Sequence, residues 1–524
     1  MIAEFDTRSG EGYAPGDEIL PSGPRAESGP QDCFAAARAR FEVTLGWLEG
    51  GEAGALAHGE LEARLAVDAR ELHRLLLQGH LDLRAEQEQR VTVIGADGTR
   101  RGCAEAGRRR PLTSVFGDVW VSRIAYRAKG HQNLCRADAL LNLPVEQHSH
   151  GLRRVAAIEA ARGSYDDTVA AIERATGQRV AKRQVEQLAQ RAAADFDGFY
   201  AARKTVGEPG DAVVISCDGK GVVMRHDALR PATRRQAADA SPKLKTRLSK
   251  GEKRNRKRMA EVGAVYDITP ASRTAADVMP ADDAQRVAAI PAPAAENKWL
   301  TASVIDDAAT VVSALFDEAE RRDPDHSRDW VALVDGNNHQ IQRITAEAAA
   351  RGVNVTVIVD FIHVIEYVWK AAWSFHSEGD PAAELWVRRH AQQILAGNAT
   401  RVAGQIRRQA TNAGLDPAAR AGADTCATYL TNKKTYLDYP AALTAGWPIA
   451  TGVIEGACRH LIKDRMDITG ARWGLHGAEA ILKLRAIRSN GDFDQYWTYH
   501  LDQEHQRVHA SRYAQNTIPA AIPA

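Results

Sequence analysis

The stretch Val331-Ala332-Leu333-Val334-Asp335-Gly336-Asn337-Asn338-His339 constrains this chain most. Four apolar residues run straight into an acid, followed by Gly and Asn. That order predicts a buried strand ending at a carboxylate, a turn, and a helix starting near Asn338. Upstream, Ala212-Val213-Val214-Ile215-Ser216-Cys217-Asp218-Gly219 has the same grammar. Downstream, Thr451-Gly452-Val453-Ile454-Glu455-Gly456-Ala457-Cys458-Arg459-His460 opens a helix with a carboxylate in its first turn. Asp218, Asp335 and Glu455 thus fall at strand ends or a helix start. A lone Asp at a strand end usually caps a helix or stays in water. Three in this order, with a basic segment between the first two, point to a site. Converging carboxylates are hard oxygen ligands suited to Mg²⁺. Two such ions about 4 Å apart clamp the attacking and leaving oxygens of a phosphodiester displacement. The pattern points to a metal-dependent enzyme acting on nucleic-acid backbones.

A chain of 524 residues allows two to four domains and ample core. Its formal net charge of +1 gives no global lean toward nucleic acid, so any such lean is local. The six cysteines are scattered without a C-x-x-C pair, which argues against a zinc ribbon or disulfide scaffold and fits a reducing cytosol. The N-terminus lacks the order of a signal peptide, and no apolar run reaches the length of a membrane span. The expected location is cytoplasmic. No G-x-S-x-G elbow and no G-x-x-x-x-G-K-[ST] loop occurs, so neither a serine hydrolase nor ATP use is expected.

Taken in order, residues 1–30 read as a flexible arm. Residues 31–149 combine a helical stretch to about residue 90 with a small β module over 91–127. There Thr113, Val115, Gly117, Val119 and Val121 alternate. Arg108-Arg109-Arg110 reads either as a solvated turn or as a phosphate contact. Residues 150–206 are helical. Ser164 caps a helix to about Ala175, Gly177 breaks it, and Lys182 and Arg183 open the next. This is either a DNA-contacting helix-turn-helix or an ordinary helical hairpin.

Residues 207–365 carry the acidic strands, interrupted by a charge run over 225–258 with thirteen Lys/Arg against three Asp/Glu. Lys243, Lys245, Arg247, Lys250, Lys253, Arg254, Arg256, Lys257 and Arg258 lie in it. So dense a run between two strands reads as a phosphate-tracking segment, with a solvated face as the alternative. Strand 262–268, a helix over 306–322, the Asp335 strand, a helix to about Ala350 and strand 353–359 predict a mixed sheet flanked by helices. Strand 353–359 ends in Asp360, a rival metal ligand, with His363 beyond it. Residues 366–445 read as a helical block and 446–490 carry Glu455. Residues 491–524 form a last segment, loose after about Gln506. Arg459, His460, Lys463, Arg465 and Arg472 are placed to neutralise phosphate. Trp473 either stacks on an unpaired base or packs in the core.

Cys217-Asp218-Gly219-Lys220-Gly221, Val334-Asp335-Gly336, Asp360-Phe361-Ile362-His363-Val364-Ile365-Glu366-Tyr367, Thr451-Gly452-Val453-Ile454-Glu455-Gly456, Asp464-Arg465-Met466 and Gly470-Ala471-Arg472-Trp473 resemble ISKra-type bacterial insertion-sequence transposases. The likeness extends upstream through Leu112-Thr113-Ser114-Val115-Phe116-Gly117 and spans most of residues 110–490. It implies an α/β RNase H-like catalytic core with a helical insertion and a mainly helical N-terminal DNA-binding region. It implies an Asp-Asp-Glu triad of Asp218, Asp335 and Glu455 holding two Mg²⁺, with Mn²⁺ able to substitute. Related Mutator-type enzymes carry a Cys/Asp-x-x-His motif after the second Asp, which Asp360 and His363 match, so Asp335 is the preferred ligand. The implied activity is hydrolysis of a phosphodiester at the element ends, followed by attack of the freed 3′-hydroxyl on target DNA. Its partners would be terminal repeats, target DNA and further copies of the chain, at the nucleoid. A nuclease or resolvase that cuts without joining, and a transposase-derived DNA-binding protein, are the alternatives.

Overall fold

The computed structural model describes residues 32–204, 211–238, 252, 256–280, 283–468 and 470–520. The chain divides into two compact units. The first comprises Met1–Ala160, Tyr165–Leu188 and Trp497–Ala524, the second Ala161–Ser164 and Ala189–Tyr496.

In the first unit, α1 (Ala35–Leu48) and the long α2 (His58–Glu86) precede a three-stranded antiparallel sheet, order β1-β2-β3. Its strands are β1 (Cys103–Ser114), β2 (Gly117–Arg127) and β3 (Leu134–Cys135). Alternate residues Val119 and Val121 of β2 are buried with Leu81 of α2 and Leu112. The alternation from Thr113 to Val121 therefore spans two strands. Val115 and Phe116 form the hairpin turn, and Gly117 takes a positive φ of 137° there. Arg108-Arg109-Arg110 lies within β1, not in a turn.

Helices α3 (His150–Arg162), α4 (Tyr165–Thr176) and α5 (Lys182–Ala192) follow. Leu152, Ala156, Ile172, Val180, Val185 and Leu188 form one buried cluster among them. Gly177, at φ 71°, ends α4 in the left-handed conformation glycine tolerates best. Lys182 and Arg183 are exposed at the start of α5, and Lys182 Nζ lies 2.6 Å from Asp166 Oδ2.

The segment after Gln506 is not loose. Tyr513 is 2% exposed and shares a core with Val93, Ile124, Tyr126 and Leu134. Main-chain bonds from Ala96 N to Arg512 O (2.9 Å) and from Ala514 N to Ile94 O (3.0 Å) hold it. A small sheet must cover its apolar face with something, and here the C-terminal segment does so. A lone Tyr among polar residues carries too little pattern to signal this in sequence.

The second unit is built on a mixed five-stranded sheet flanked by helices, order β6-β5-β4-β7-β8. Its strands are β4 (Ala212–Val223), β5 (Lys257–Ile268), β6 (Glu296–Ser303), β7 (Trp330–Val334) and β8 (Val355–Val359). β4, β7 and β8 run parallel, and β5 and β6 continue antiparallel beyond β4. Val331 to Val334 are fully buried, as strands covered on both faces require. Asp218 does not end its strand. β4 continues to Val223 because β5 pairs with it along its whole length, from Ala212↔Ile268 to Val223↔Lys257. β6 was not anticipated, since its outer half reads as polar loop.

Between β6 and β7, α6 (Ala308–Arg322) is capped by Asp307, whose carboxylate accepts from Thr310 N. It packs on β5 so closely that a Cβ at Gly263 would come within 2.5 Å of Leu315. α7 (Asn338–Arg351) joins β7 to β8 and is capped by Asn337. After β8 come α8 (Phe361–Ala372), α9 (Pro381–Leu395), α10 (Ala399–Asn412) and α11 (Ala421–Lys433). Then α12 (Gly452–Ala457) runs into a π-helical turn, Cys458–Lys463, and α13 (Leu475–Ser489) lies against the sheet at β6. No helix among the described residues is long and apolar enough to cross a membrane.

Candidate active site

Register places the acids. The pairing of β4 with β7 runs to Ser216↔Leu333, and the same register carried two residues further, just past the end of β7, sets Asp218 level with Asp335. Val334 pairs with Val359 across β7 and β8, so one residue further Asp335 comes beside Asp360, whose N–H donates to Val334 O at 2.8 Å. Three carboxylates therefore stand in a row across three parallel strands, Asp335 and Asp360 just past the ends of β7 and β8 and Asp218 midway along β4. Such strand ends are where α/β sheets place their sites.

Each acid is held differently. Asp218 Oδ1 accepts from Gly219 N at 2.6 Å, and its Oδ2 accepts from the Cys458 thiol at 3.3 Å. Cys458 lies three residues after Glu455, one helical turn on, so this contact ties the Glu455 helix to β4. Burial, then the neighbouring Asp218 charge, pushes the Cys458 thiol well above its ordinary pKa, which keeps the donor proton in place. Cys217, behind Asp218, is likewise raised to about 12 by burial and by Glu261, Asp335 and Asp218. Glu261 on β5 is a fourth carboxylate here. Burial raises its pKa and Asp218 adds to the effect, against Arg230 and His339.

Asp335 is half-buried, and its Oδ1 accepts from Asn337 N at 2.8 Å. Helix α11 clamps the turn behind it. Tyr429 OH donates to Asp335 O at 3.2 Å, and Lys433 Nζ donates to Asn338 Oδ1. These two residues are four apart on one helix face. Tyr429 stacks on Tyr367 with ring centroids 3.9 Å apart. Gly336, at φ 91°, sits so near that a Cβ would meet Tyr429 OH at 2.4 Å. Lys433 is buried; burial lowers its pKa, and Asp335 opposes that shift.

Asp360 is fully buried. Its Oδ1 caps α8 through Ile362 N at 2.7 Å. Its Oδ2 accepts from Thr451 Oγ1 and lies 3.4 Å from His363 Nδ1. Thr451 is the residue before α12, so Asp360 braces the start of the Glu455 helix. Phe361 N to Ile449 O (2.9 Å) and Tyr439 OH to Val359 O (2.8 Å) reinforce that seam.

Glu455 is exposed, and its carboxylate makes no hydrogen bond or ion pair among the described residues. One ligand atom each from Asp360, His363 and Glu455 lie within 4.8 Å of one another, the only such group of His, Cys, Asp or Glu among the described residues. The preferred triad is therefore not gathered as tightly as Glu455, Asp360 and His363 are. Carboxylate oxygens suit a hard divalent cation, and among the described residues the ligand atoms that come close enough to share one are those of Asp360, His363 and Glu455.

The surrounding expectations divide. Trp473 is 5% exposed and its indole donates to Met466 O at 3.0 Å, so it packs in the core and does not present a face to a base. Its main chain pairs with Met224, with Arg225 N to Trp473 O at 2.8 Å, and this pins the segment that leaves the end of β4. Arg465 is also buried, with its guanidinium 4.7 Å from the Trp473 ring centroid, so it too is withdrawn from DNA. Arg459 and His460 are exposed and turn to Asp464, at 3.8 and 3.2 Å. Lys463 and Arg472 are exposed. Arg258 is a strut, donating to Val304 O and Ala228 O. Lys257 is exposed and Arg256 half-buried at the start of β5. Lys243, Lys245, Arg247, Lys250, Lys253 and Arg254 lie outside the described residues.

Sequence reading missed Tyr429, Lys433, Thr451 and Cys458. Three of them carried a signal. Cys458 follows Glu455 at helical spacing, and Tyr429 and Lys433 share a helix face. No protein-family model matches this chain, and no curated protein matches it.

Proposed function

We propose that the second unit is the RNase H-like catalytic core of an insertion-sequence DNA transposase, with Asp218, Asp335 and Glu455 as its acidic triad. The observation that carries this reading is the parallel register of β4 and β7, which sets Asp218 level with Asp335 just past the end of β7, with the Glu455 helix tied to Asp218 through Cys458. A mixed sheet flanked by helices, interrupted by a helical block before Glu455, is the architecture the resemblance implies.

Bound Mg²⁺ would supply Lewis-acid stabilisation of the charge that develops on phosphate oxygens. The chain's own residues hold and aim the carboxylates. Cys458 fixes one oxygen of Asp218, α11 fixes the Asp335 turn, and the Asp360–Thr451 bond sets the start of the Glu455 helix. Exposed Lys463 and Arg472 lie on the segment that follows Glu455 and add positive charge for a DNA strand.

The test is cleavage and strand transfer on labelled DNA carrying the element's own ends, with Mg²⁺ or EDTA, and DNA binding measured separately. Mg²⁺-dependent nicking followed by joined products supports the reading. Cutting without joining points to a nuclease or resolvase. Tight binding with no cutting in either condition overturns the enzymatic reading in favour of a DNA-binding protein.

A further inference from the structure

In the second unit, a cleft of about 660 Å³ lies between β5, the chain over 286–295 and the starts of α8 and α12. Val278, Ile290, Pro291, Pro293, Ile449 and Val453 make its walls largely apolar. Two buried polar side chains also line it. Tyr266 of β5 is 2% exposed and Arg273 is 7% exposed.

Both carry donors that the protein leaves unmet. The Tyr266 hydroxyl has no hydrogen-bond partner among the described residues. Burial alone raises its pKa, so it keeps its proton and stays a donor. Arg273 is held in place by its main chain, N to Leu443 O at 2.8 Å, and by Nη2 to Trp447 O at 2.6 Å. Its Nε is buried without a partner. Asp277 is the neighbouring carboxylate, but its own turn engages it. Its Oδ2 accepts from Thr274 N and Thr274 Oγ1, both at 2.7 Å, and its Oδ1 from Ile290 N at 2.9 Å. Asp277 acts on Arg273 only through space, against the lowering of the Arg273 pKa by burial.

Buried donors without acceptors destabilise a fold, so a ligand that supplies acceptors is favoured here. A purely apolar ligand would leave both donors unmet, and a small inorganic anion would leave the walls uncovered. A nucleobase offers flat faces to the walls and carbonyl or ring-nitrogen acceptors on its edges. The place of the cleft fits that occupant. Phe361 and Ile362 line it and directly follow Asp360, and Gly452 and Val453 line it three and two residues before Glu455. The cleft and the acids therefore share two helix starts. On α8, Trp369 and Trp373 follow Ile362 at seven and eleven residues, on the same helix face. Their rings stack with centroids 5.2 Å apart, and Trp373 is 46% exposed. Exposed aromatic side chains are platforms for successive unpaired bases.

We infer that this cleft takes an unpaired nucleobase of the DNA strand held at the acids, with its edge acceptors on Arg273 Nε and the Tyr266 hydroxyl. This rests on the proposed reading of the acids as a DNA site and adds to it the recognition of a base beside the cut.

The experiment titrates the full chain, in EDTA, into a single strand of about 20 nucleotides carrying one 2-aminopurine, and reads its fluorescence. A strand of the same length with every base removed competes for the protein. The abasic strand is expected to compete about 10-fold more weakly than the same strand with its bases. Arg273→Gln should weaken binding of the intact strand about 10-fold and Tyr266→Phe about 3-fold, with binding of the abasic strand unchanged. Ala289→Leu combined with Ala292→Leu narrows the cleft from one half-buried and one exposed position, adding neither charge nor ring. This double variant leaves the buried donors in place, so it carries the test if Arg273→Gln does not fold, and it should bind the intact strand as weakly as Arg273→Gln. The inference is overturned if the abasic strand competes as well as the intact one. It is also overturned if the folded variants, checked by circular dichroism, bind the intact strand as wild type does. Base-dependent binding by a chain that never cuts DNA upholds the cleft and defeats the enzymatic proposal. Mg²⁺-dependent cutting by a chain whose binding ignores the bases does the reverse.

Discussion

Asp335 and Asp360 are neighbours across β7 and β8, and both follow an apolar strand and precede a helix, yet they have opposite fates. Asp335 is half-buried, with one oxygen engaged by Asn337 N, and its turn is held from outside by Tyr429 and Lys433. Asp360 is fully buried and its oxygens are taken by Ile362 N, the Thr451 hydroxyl and His363. Local grammar is the same in both. What differs is the chain that returns to each from far away: α11 leaves the Asp335 carboxylate open, and the Thr451 segment closes over Asp360. A strand-end acid is therefore assigned by its distant partners, not by its own run.

The sharpest way to break this contrast is Asp335→Asn. It should lower DNA cleavage by at least about 100- to 1,000-fold with thermal stability and duplex binding unchanged. A cleaving Asp335→Asn protein would remove Asp335 from the proposed triad. Asp360→Ala should act instead on the fold. It leaves Ile362 N–H and the Thr451 hydroxyl without their acceptor, at about 2–3 kcal/mol in denaturant unfolding. An Asp360→Ala protein of wild-type stability and no activity would make Asp360 the ligand. Tyr429→Phe tests whether α11 aims Asp335. Cleavage should fall about 10-fold through loss of positioning, with a stability cost of about 1 kcal/mol. Equal loss of duplex binding would show that the clamp serves DNA contact instead. The smallest effect belongs to Cys458. Cys458→Ala, which removes the donor to Asp218, should lower cleavage about 3-fold, and Cys458→Ser should restore it because a hydroxyl keeps the hydrogen bond. Identical behaviour of the two variants would mean the thiol only packs.

Much of the second unit was legible because its parallel strands are continuous apolar runs. Val331–Val334 and Val213–Ile215 need no partner to be recognised. The extension of β4 past Asp218 was not. Gly219, Lys220 and Gly221 read as a turn, and only β5, arriving after the basic run, makes them strand. Trp473 beside Arg472 suggested an exposed platform, but burial depends on which strand comes to lie over it, here at Met224. The candidate site was legible as acids and illegible as supports. Carboxylates mark themselves, whereas Tyr429, Lys433 and Thr451 are ordinary residues until the fold brings them close.

The return of Tyr513 to the core around Val93 sets an order on the birth of this protein. On a ribosome adding about 5–20 residues per second, roughly 20–80 seconds separate the appearance of Val93 from that of Tyr513. For that interval the β module lacks one wall, and its apolar face is open to chaperones or to other nascent chains. Residues 189–496 hold the second unit's whole sheet and are complete before then. The half of the molecule made first is thus the half finished last.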